Sequence, residues 1–419
     1  MASLEYISYS PRLIKVRDNN LVWEEANRNK VINLPQIVWS DNTTWSEVNL
    51  WALDQIITLN RSIKTVKSNM SHLLAYAKWL ESESIKWWYF PDRYSERCLT
   101  LFRGFLINCR NTGEIAPSTT TQRMNAVIKF YKWAKEKELI SSDIKMWEER
   151  VVGIKVTNSF GFEQSLRIIS TDLAIPNRSI VRTIHLEDGL LPVSASAIKN
   201  ILSLASNKAS IELTLMLKLG FFTGLRIGSI TDLKIGTLKN SITIPGTELT
   251  GISIGPGARP PVNTKFGVSG TVPIPDVLLG QLMEYSVSTR RLLRQSQATE
   301  ENQDLLFLTR YGNPYQSENR SVVNVEMHRL RSIGVKEGVK VLQGFHFHRT
   351  RATYATELIK VALSYMPVAE AIQFVKEACL HKDESTTMQY IKFIEANKMI
   401  SEAANSFTEA FQGLILTDV

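Results

Sequence analysis

The sequence predicts a mainly α fold. An N-terminal four-helix domain precedes a mostly helical domain with a small antiparallel β-sheet inserted early. Three observations carry that expectation. Apolar residues recur at helical spacing through both parts of the chain. All nine tryptophans lie between Trp23 and Trp147, so the first third has a different core composition from the rest. The segment 240–275 is built of short β-branched runs broken by Gly and Pro. At 419 residues the chain exceeds a usual single domain.

Residues 1–42 form an N-terminal extension. Leu4–Tyr9 and Leu13–Val16 read as strands, with Asp18, Asn19 and Asn20 as a turn. Residues 43–150 hold the four helices. One runs from about Trp45 to Leu59. Ser62 can cap the next, whose stripe is Val66, Met70, Leu73, Leu74, Ala77 and Leu80. A third carries Leu99, Phe102, Phe105, Leu106 and Cys109 and stops at Gly113. Ser118 can cap the fourth, with Met124, Val127, Ile128 and Tyr131. Residues 151–188 have few periodic runs and read as a linker and entry segment. The second domain, 189–395, starts where Ser194 or Ser196 can cap a helix. Strands are expected at 241–244, 252–254 and 270–274. Helices are expected over 276–297, 319–333, 348–361, 367–379 and 384–394, with an amphipathic tail helix in 396–419.

Composition narrows the class. Charged residues are 21% and hydrophobic ones 44%, ordinary for a globular chain. The net charge of +8 suits a polyanionic partner, nucleic acid or a membrane surface. Cys98, Cys109 and Cys379 are scattered, which points away from a disulfide framework and towards a reducing compartment. No stretch reaches the roughly 20 apolar residues of a membrane span, and the N-terminus lacks a signal-peptide pattern. A cytoplasmic protein is expected.

Two helix starts concentrate basic and polar residues: Arg61, Lys64 and Lys67 at one, Thr119, Thr120, Thr121 and Arg123 at the other. Helix N-termini suit phosphates; the alternative is a solvated helix face. Arg226 follows an apolar helix and Thr223-Gly224, where Gly ends the helix. It is either a phosphate-binding fork or a structural partner of Asp232. His348 and Arg351 share one helix face at their spacing. His346-x-His348 lacks a carboxylate or Cys at ligand spacing, so no metal is expected. Lys265 sits on a hairpin tip ahead of Thr271–Ile274. Tyr390 falls two turns into a helix that follows His381. A buried Tyr is usually packing; positive charge nearby is what makes one a nucleophile.

Taken together, Phe222-Thr223-Gly224-Leu225-Arg226, Thr264-Lys265-Phe266-Gly267, His348-x-x-Arg351 with Ala352-Thr353-Tyr354, and His381-Lys382 with Ser385-Thr386-Thr387 and Tyr390 resemble the tyrosine recombinases, also called the phage-integrase family. The resemblance covers about 190–395, and the helical region before it resembles the family's core DNA-binding domain. It implies a transesterification on DNA that uses no metal and no cofactor. Tyr390 attacks the scissile phosphate and is left as a 3′-phosphotyrosine. Arg226 and Arg351 hold the non-bridging oxygens, Lys265 protonates the leaving 5′-oxygen, His348 assists as base, and His381 donates to a phosphate oxygen.

The resemblance further implies double-stranded DNA with a specific site as partner, a homotetramer joined through the C-terminal helix, an accessory bending or excision factor, and a nucleoid-associated role in moving a mobile element. Type IB topoisomerases use a similar residue set, and a catalytically silent DNA-binding regulator on the same fold is a third reading. Three positions depart from the family pattern. Ser229 stands where an acid usually follows the first Arg, Leu380 stands where Gly usually precedes the last His, and Gly228 loosens the first turn.

Overall fold

The computed structural model describes residues 1–17, 20–25, 30–141, 143–157, 163–176, 186, 190–316 and 321–395. The fold is mainly α with small antiparallel sheets, and the chain divides into two compact units, Met1–Arg182 and Thr183–Val419.

The first unit opens with β1 (Ser3–Tyr9), β2 (Arg12–Arg17), β3 (Asn20–Glu25) and β4 (Val31–Val38). β1 pairs with β4 and β2 with β3, both antiparallel. Asp18 and Asn19 of the expected turn lie outside the described residues, and Asn20 opens β3. Ala2, Leu34 and Ile37 fix the base of this ribbon to the helical core. Four helices follow: α1 (Ser46–Ile57), α2 (Ile63–Ser82), α3 (Cys98–Asn111) and α4 (Pro117–Glu136). Ser62 caps α2 by accepting from Thr65 N, and Val66, Met70, Leu73, Ala77 and Leu80 are buried beneath it. The expected cap at Ser118 is not used. Ala116 is the N-cap and Pro117 the first residue, where the fixed φ of proline fits and its missing N–H costs nothing.

The tryptophan-rich composition becomes an aromatic core in which Trp45, Trp87 and Phe130 pack edge-on or tilted. At its centre the Tyr76 and Tyr131 hydroxyls are 2.8 Å apart. Burial pushes both phenols well up from their ordinary range. The stretch read as a linker instead pairs β5 (Glu149–Thr157) with β6 (Glu163–Thr171) in continuous antiparallel register. Each strand has only nine residues and mixes charged with β-branched types. Val152, Ile154 and Val156 alternate with Gly153, Lys155 and Thr157, a strand pattern that the linker reading passed over. Leu173 and Ile175 return the chain to the first unit's core.

The second unit runs α5 (Ala195–Lys208), α6 (Ile211–Thr223), α7 (Ile227–Thr231), α8 (Ile235–Lys239), β7 (Ile242–Thr243), β8 (Leu249–Ile254), β9 (Gly270–Pro275), α9 (Asp276–Val287), α10 (Thr289–Gln295), α11 (Val322–Lys336), α12 (Arg349–Tyr365) and α13 (Val368–Ala378). A helix over 384–395 closes the described chain. Ser194 caps α5. The helix expected over 276–297 is two helices, because Ser288 ends α9 and its hydroxyl caps α10. The expected tail helix lies outside the described residues. β7, β8 and β9 form one antiparallel sheet.

Helix α6 is apolar on every side and is buried accordingly. Its first turn carries the fully buried Glu212, held by Arg290 Nε at 2.8 Å, Arg294 Nη1 at 2.8 Å and Tyr285 Oη at 2.9 Å. Burial alone would raise this carboxyl, but the Arg290 and Arg294 guanidiniums hold it below the usual carboxylate range. A separate apolar cluster joins α12, α13 and the 384–395 helix through Ala352, Ala355, Ile359, Val375, Tyr390 and Ile391. Among the described residues no helix is long and apolar enough to cross a membrane.

Candidate active site

The turn that carries Arg226 and the helix start that carries Arg351 are brought together by the close packing of α6 against α12. Gly220 makes that packing possible, since a Cβ there would lie 2.4 Å from Thr350 Oγ1. At the end of α6, Gly224 takes φ +65°, and a Cβ would meet the Tyr354 ring at 2.4 Å. Glycine is required here on both counts. The turn delivers Arg226, half-buried, as the N-cap of α7. Arg351, on the first turn of α12 and only 2% exposed, donates from Nη1 to the Gly224 carbonyl at 2.8 Å. The second arginine therefore buttresses the turn that carries the first. Asp232 is not the partner of Arg226 that one reading of the sequence allowed: it pairs with Lys234 at 2.8 Å and accepts from Asn263 N at 2.7 Å.

The start of α12 is pinned to the residues that lead into α5. Thr353 Oγ1 accepts from Val193 N at 3.0 Å, and Arg349 Nε donates to Leu191 O at 2.9 Å. His348, half-buried, is the N-cap residue of the same helix. His346 lies on the other side of Phe347, with Nδ1 3.5 Å from Arg331 Nη1.

His381 follows α13 through a left-handed turn. His381 N donates to Lys376 O and Leu380 N to Glu377 O, the paired bonds of a Schellman motif. The left-handed position belongs to Leu380, at φ +52°. This is where the sequence departs from the family's Gly, and the structure contains a counterpart. Leu380 is 7% exposed, and it packs on Gly270 at the start of β9, where a Cβ would lie 2.7 Å from Leu380 Cδ2. The room that a side chain needs at 380 is provided by its absence at 270.

His381 Nδ1 is 2.8 Å from Thr387 Oγ1, and its ring stacks on Tyr390 at 5.9 Å between centroids and 9° between planes. Tyr390 is fully buried, two turns into the 384–395 helix. Thr387, equally buried, was read from the sequence only as part of the motif ending in Tyr390, with no role of its own; its place one turn ahead of Tyr390 was the available signal.

Lys265 is exposed on the short turn Lys265–Gly267 between β8 and β9. Its Nζ lies 5.3 Å from the Phe266 ring, and Lys382 Nζ lies 5.5 Å from the same ring. Phe266, at φ +69° and 64% exposed, thus joins the Lys265 loop to the turn carrying His381. Among the described residues no group of three or more His, Cys, Asp and Glu is arranged to hold a metal.

The residues expected on DNA lie in the first unit. Arg61 and Lys64 are exposed at the start of α2, and Lys67 sits with Nζ 5.2 Å from the Tyr6 ring. Thr119, Thr121 and Arg123 are half-buried in the first turns of α4, where Thr121 Oγ1 donates to Pro117 O at 3.1 Å. α2 and α4 run in the same sense: Arg123 acts on His72, and Tyr131 bonds Tyr76 further along both helices. The two helix starts therefore share one end of the unit. Burial and the Arg123 charge both push His72 down from its ordinary range.

Residues 193–396 match the family model described as phage integrase family. Residues 193–396 therefore form a phage-integrase-family, or tyrosine recombinase, domain. Among curated proteins none matches the chain. Its fold is similar to that of XerH site-specific recombinase in a post-cleavage complex with palindromic difH substrate, with a TM-score of 0.50 and 14% identity over 83% of this chain and 81% of that one. Matches also include lambda integrase on a core site (TM-score 0.47, 14% identity, 82% and 94% covered). The Tn1549 transposon integrase in complex with circular intermediate DNA is another (TM-score 0.47, 14% identity, 84% and 98% covered).

Proposed function

We propose that this recombinase cleaves and rejoins DNA strands at a specific site through a 3′-phosphotyrosyl intermediate. The Arg351–Gly224 bond is the observation that supports this reading, because it ties the arginine of one motif to the turn that carries the arginine of the other. Arg226 and Arg351 hold the non-bridging oxygens of the scissile phosphate and stabilise the charge that grows on them in the pentavalent transition state. Tyr390 attacks phosphorus, and His348 receives the phenolic proton. As the P–O5′ bond breaks, Lys265 gives its proton to the leaving oxygen. His381, held by Thr387, donates to a phosphate oxygen. The new phosphotyrosine keeps a phosphodiester bond, so attack by another strand's 5′-hydroxyl reverses the step without an external energy source.

The basic and polar helix starts of α2 and α4 support a backbone-contacting role for Arg61, Lys64, Lys67, Thr119, Thr121 and Arg123, in a unit that serves as the core DNA-binding domain. A homotetramer assembled through 396–419, an accessory bending or excision factor, association with the nucleoid, and integration or excision of a mobile element complete the proposal.

The test is covalent capture. The full chain is incubated with a pool of nicked duplexes of randomised sequence, and the attached residue and strand are identified. The expected adduct is a 3′-phosphate on Tyr390, absent from Tyr390→Phe although that variant still binds DNA. An adduct on another residue would overturn the assignment of the nucleophile. Relaxation of supercoiled DNA without any selected site would make the enzyme a topoisomerase instead.

A further inference from the structure

The Lys265 loop is anchored to the arginine turn by a residue type that the family pattern does not lead one to expect. Ser229, on α7 and 4% exposed, donates from Oγ to the carbonyl of Asn263 at 2.9 Å. Asp232, at the end of the same helix, accepts from Asn263 N at 2.7 Å. Both backbone polar groups of Asn263 are thereby held by side chains of α7 and its C-cap residue, in the helix that Arg226 opens. Lys234 fixes Asp232 in turn at 2.8 Å.

Beyond Asn263 the chain has little freedom. Val262 is buried, and its N–H donates to Gly255 O at 3.0 Å. Thr264 Oγ1 donates to Val268 O at 2.7 Å, and Gly267 N donates to Thr264 O at 3.3 Å, closing the turn on which Lys265 stands. A lysine on an exposed loop has a long, mobile stem. Its usefulness as a proton donor depends on where its backbone is held, and that is decided two residues upstream.

We propose that Ser229 and Asp232 are positioning residues for Lys265, which hold its loop in fixed register with Arg226 through the two polar backbone groups of Asn263. The inference rests on the reading of Lys265 as the general acid. A carboxylate at position 229 could not do this work, because it has no proton to donate to the Asn263 carbonyl. A hydroxyl has one. The serine is therefore a change of partner rather than a loss of support: position 229 braces the loop that carries the acid.

A sulfur substitution isolates this role from a merely structural one. In a duplex whose scissile 5′-bridging oxygen is replaced by sulfur, the leaving thiolate departs without being protonated, so a misplaced acid no longer slows the P–S bond cleavage. The comparison uses the full chain and the strand sequence identified by covalent capture, in oxygen and sulfur forms. Ser229→Ala and Asp232→Ala should slow cleavage of the oxygen duplex by roughly 10- to 100-fold, the scale of a displaced general acid. They should leave the sulfur duplex close to wild-type rates. Ser229→Thr, which keeps the hydroxyl, should recover the oxygen rate.

Equal losses on both duplexes, or no loss on either, would overturn the proposal. Lys265→Ala, measured alongside, separates the two levels. If it is selectively rescued by sulfur while Ser229→Ala is not, only the positioning inference falls. If it shows no sulfur selectivity, the reading of Lys265 falls and takes the inference with it.

Discussion

Arg351 Nη1 donates to the carbonyl of Gly224 at 2.8 Å, across 127 residues of chain. One hydrogen bond thus ties the second arginine motif to the turn that presents the first. A planar guanidinium can serve a backbone carbonyl and a phosphate at once.

Arg351→Lys keeps the charge and loses that geometry. One ammonium cannot hold Gly224 and reach a phosphate in fixed directions. Cleavage in a covalent-capture assay should fall by roughly 100- to 1000-fold, the scale for losing one donor to transition-state charge. Binding of DNA, read by gel shift, should change little.

Leu380 and Gly270 form a testable pair. Gly270→Ala places a methyl against Leu380 Cδ2 and should destabilise the protein by about 1–3 kcal/mol through overpacking. Leu380→Gly removes the side chain and relaxes the left-handed backbone, so the same Gly270→Ala change should then cost much less. A double-mutant cycle by thermal or urea denaturation measures the difference. Additive losses would mean that the two sites are not coupled.

Acid should find Glu212. Its folded carboxyl titrates below its ordinary value of 4.5. The stabilisation is therefore present above that value and is lost as pH falls through the lower folded one. Glu212→Gln leaves two guanidiniums facing a neutral amide and should cost about 3 kcal/mol near neutral pH, as breaking a buried pair does. Its stability should also decline less steeply than that of wild type on acidification below about pH 4.5. Urea midpoints across pH 3 to 7, about the carboxylate range, provide the check.

Salt should weaken DNA binding steeply if Arg61, Lys64 and Arg123 lie on phosphates. Replacing any one of them by Ala should then lower the slope of log K against log salt by about 0.9. Variants that weaken binding with an unchanged slope would place those residues off the backbone.

Much of the site is legible in the sequence. Thr223-Gly224-x-Arg226 is a helix stop followed by a charge, and the stop follows from the steric freedom of Gly at the end of an apolar helix. Leu380 is visible there only as a departure. Its meaning depends on Gly270, a partner 110 positions away in the sequence that no local pattern connects to it. The β5–β6 hairpin was legible locally, since Val152, Ile154 and Val156 alternate with Gly153, Lys155 and Thr157. Its register, which pairs Val152 with Ile168 and Ile154 with Leu166, is set by the pairing itself.

By itself the sequence determined the order of the candidate residues, the mainly helical fold and the helix stops, because these follow from side-chain chemistry and from backbone preferences that act within a few residues. Only the tertiary structure decided how the parts are held. Arg351 leans on Gly224, Asn263 is gripped by Ser229 and Asp232, His381 stacks on a buried Tyr390, and Asp232 turns to Lys234 rather than Arg226. Most of these contacts join segments far apart in the chain. Which donor meets which carbonyl is set by how helices pack, and packing depends on shape at sub-ångström scale across the whole core.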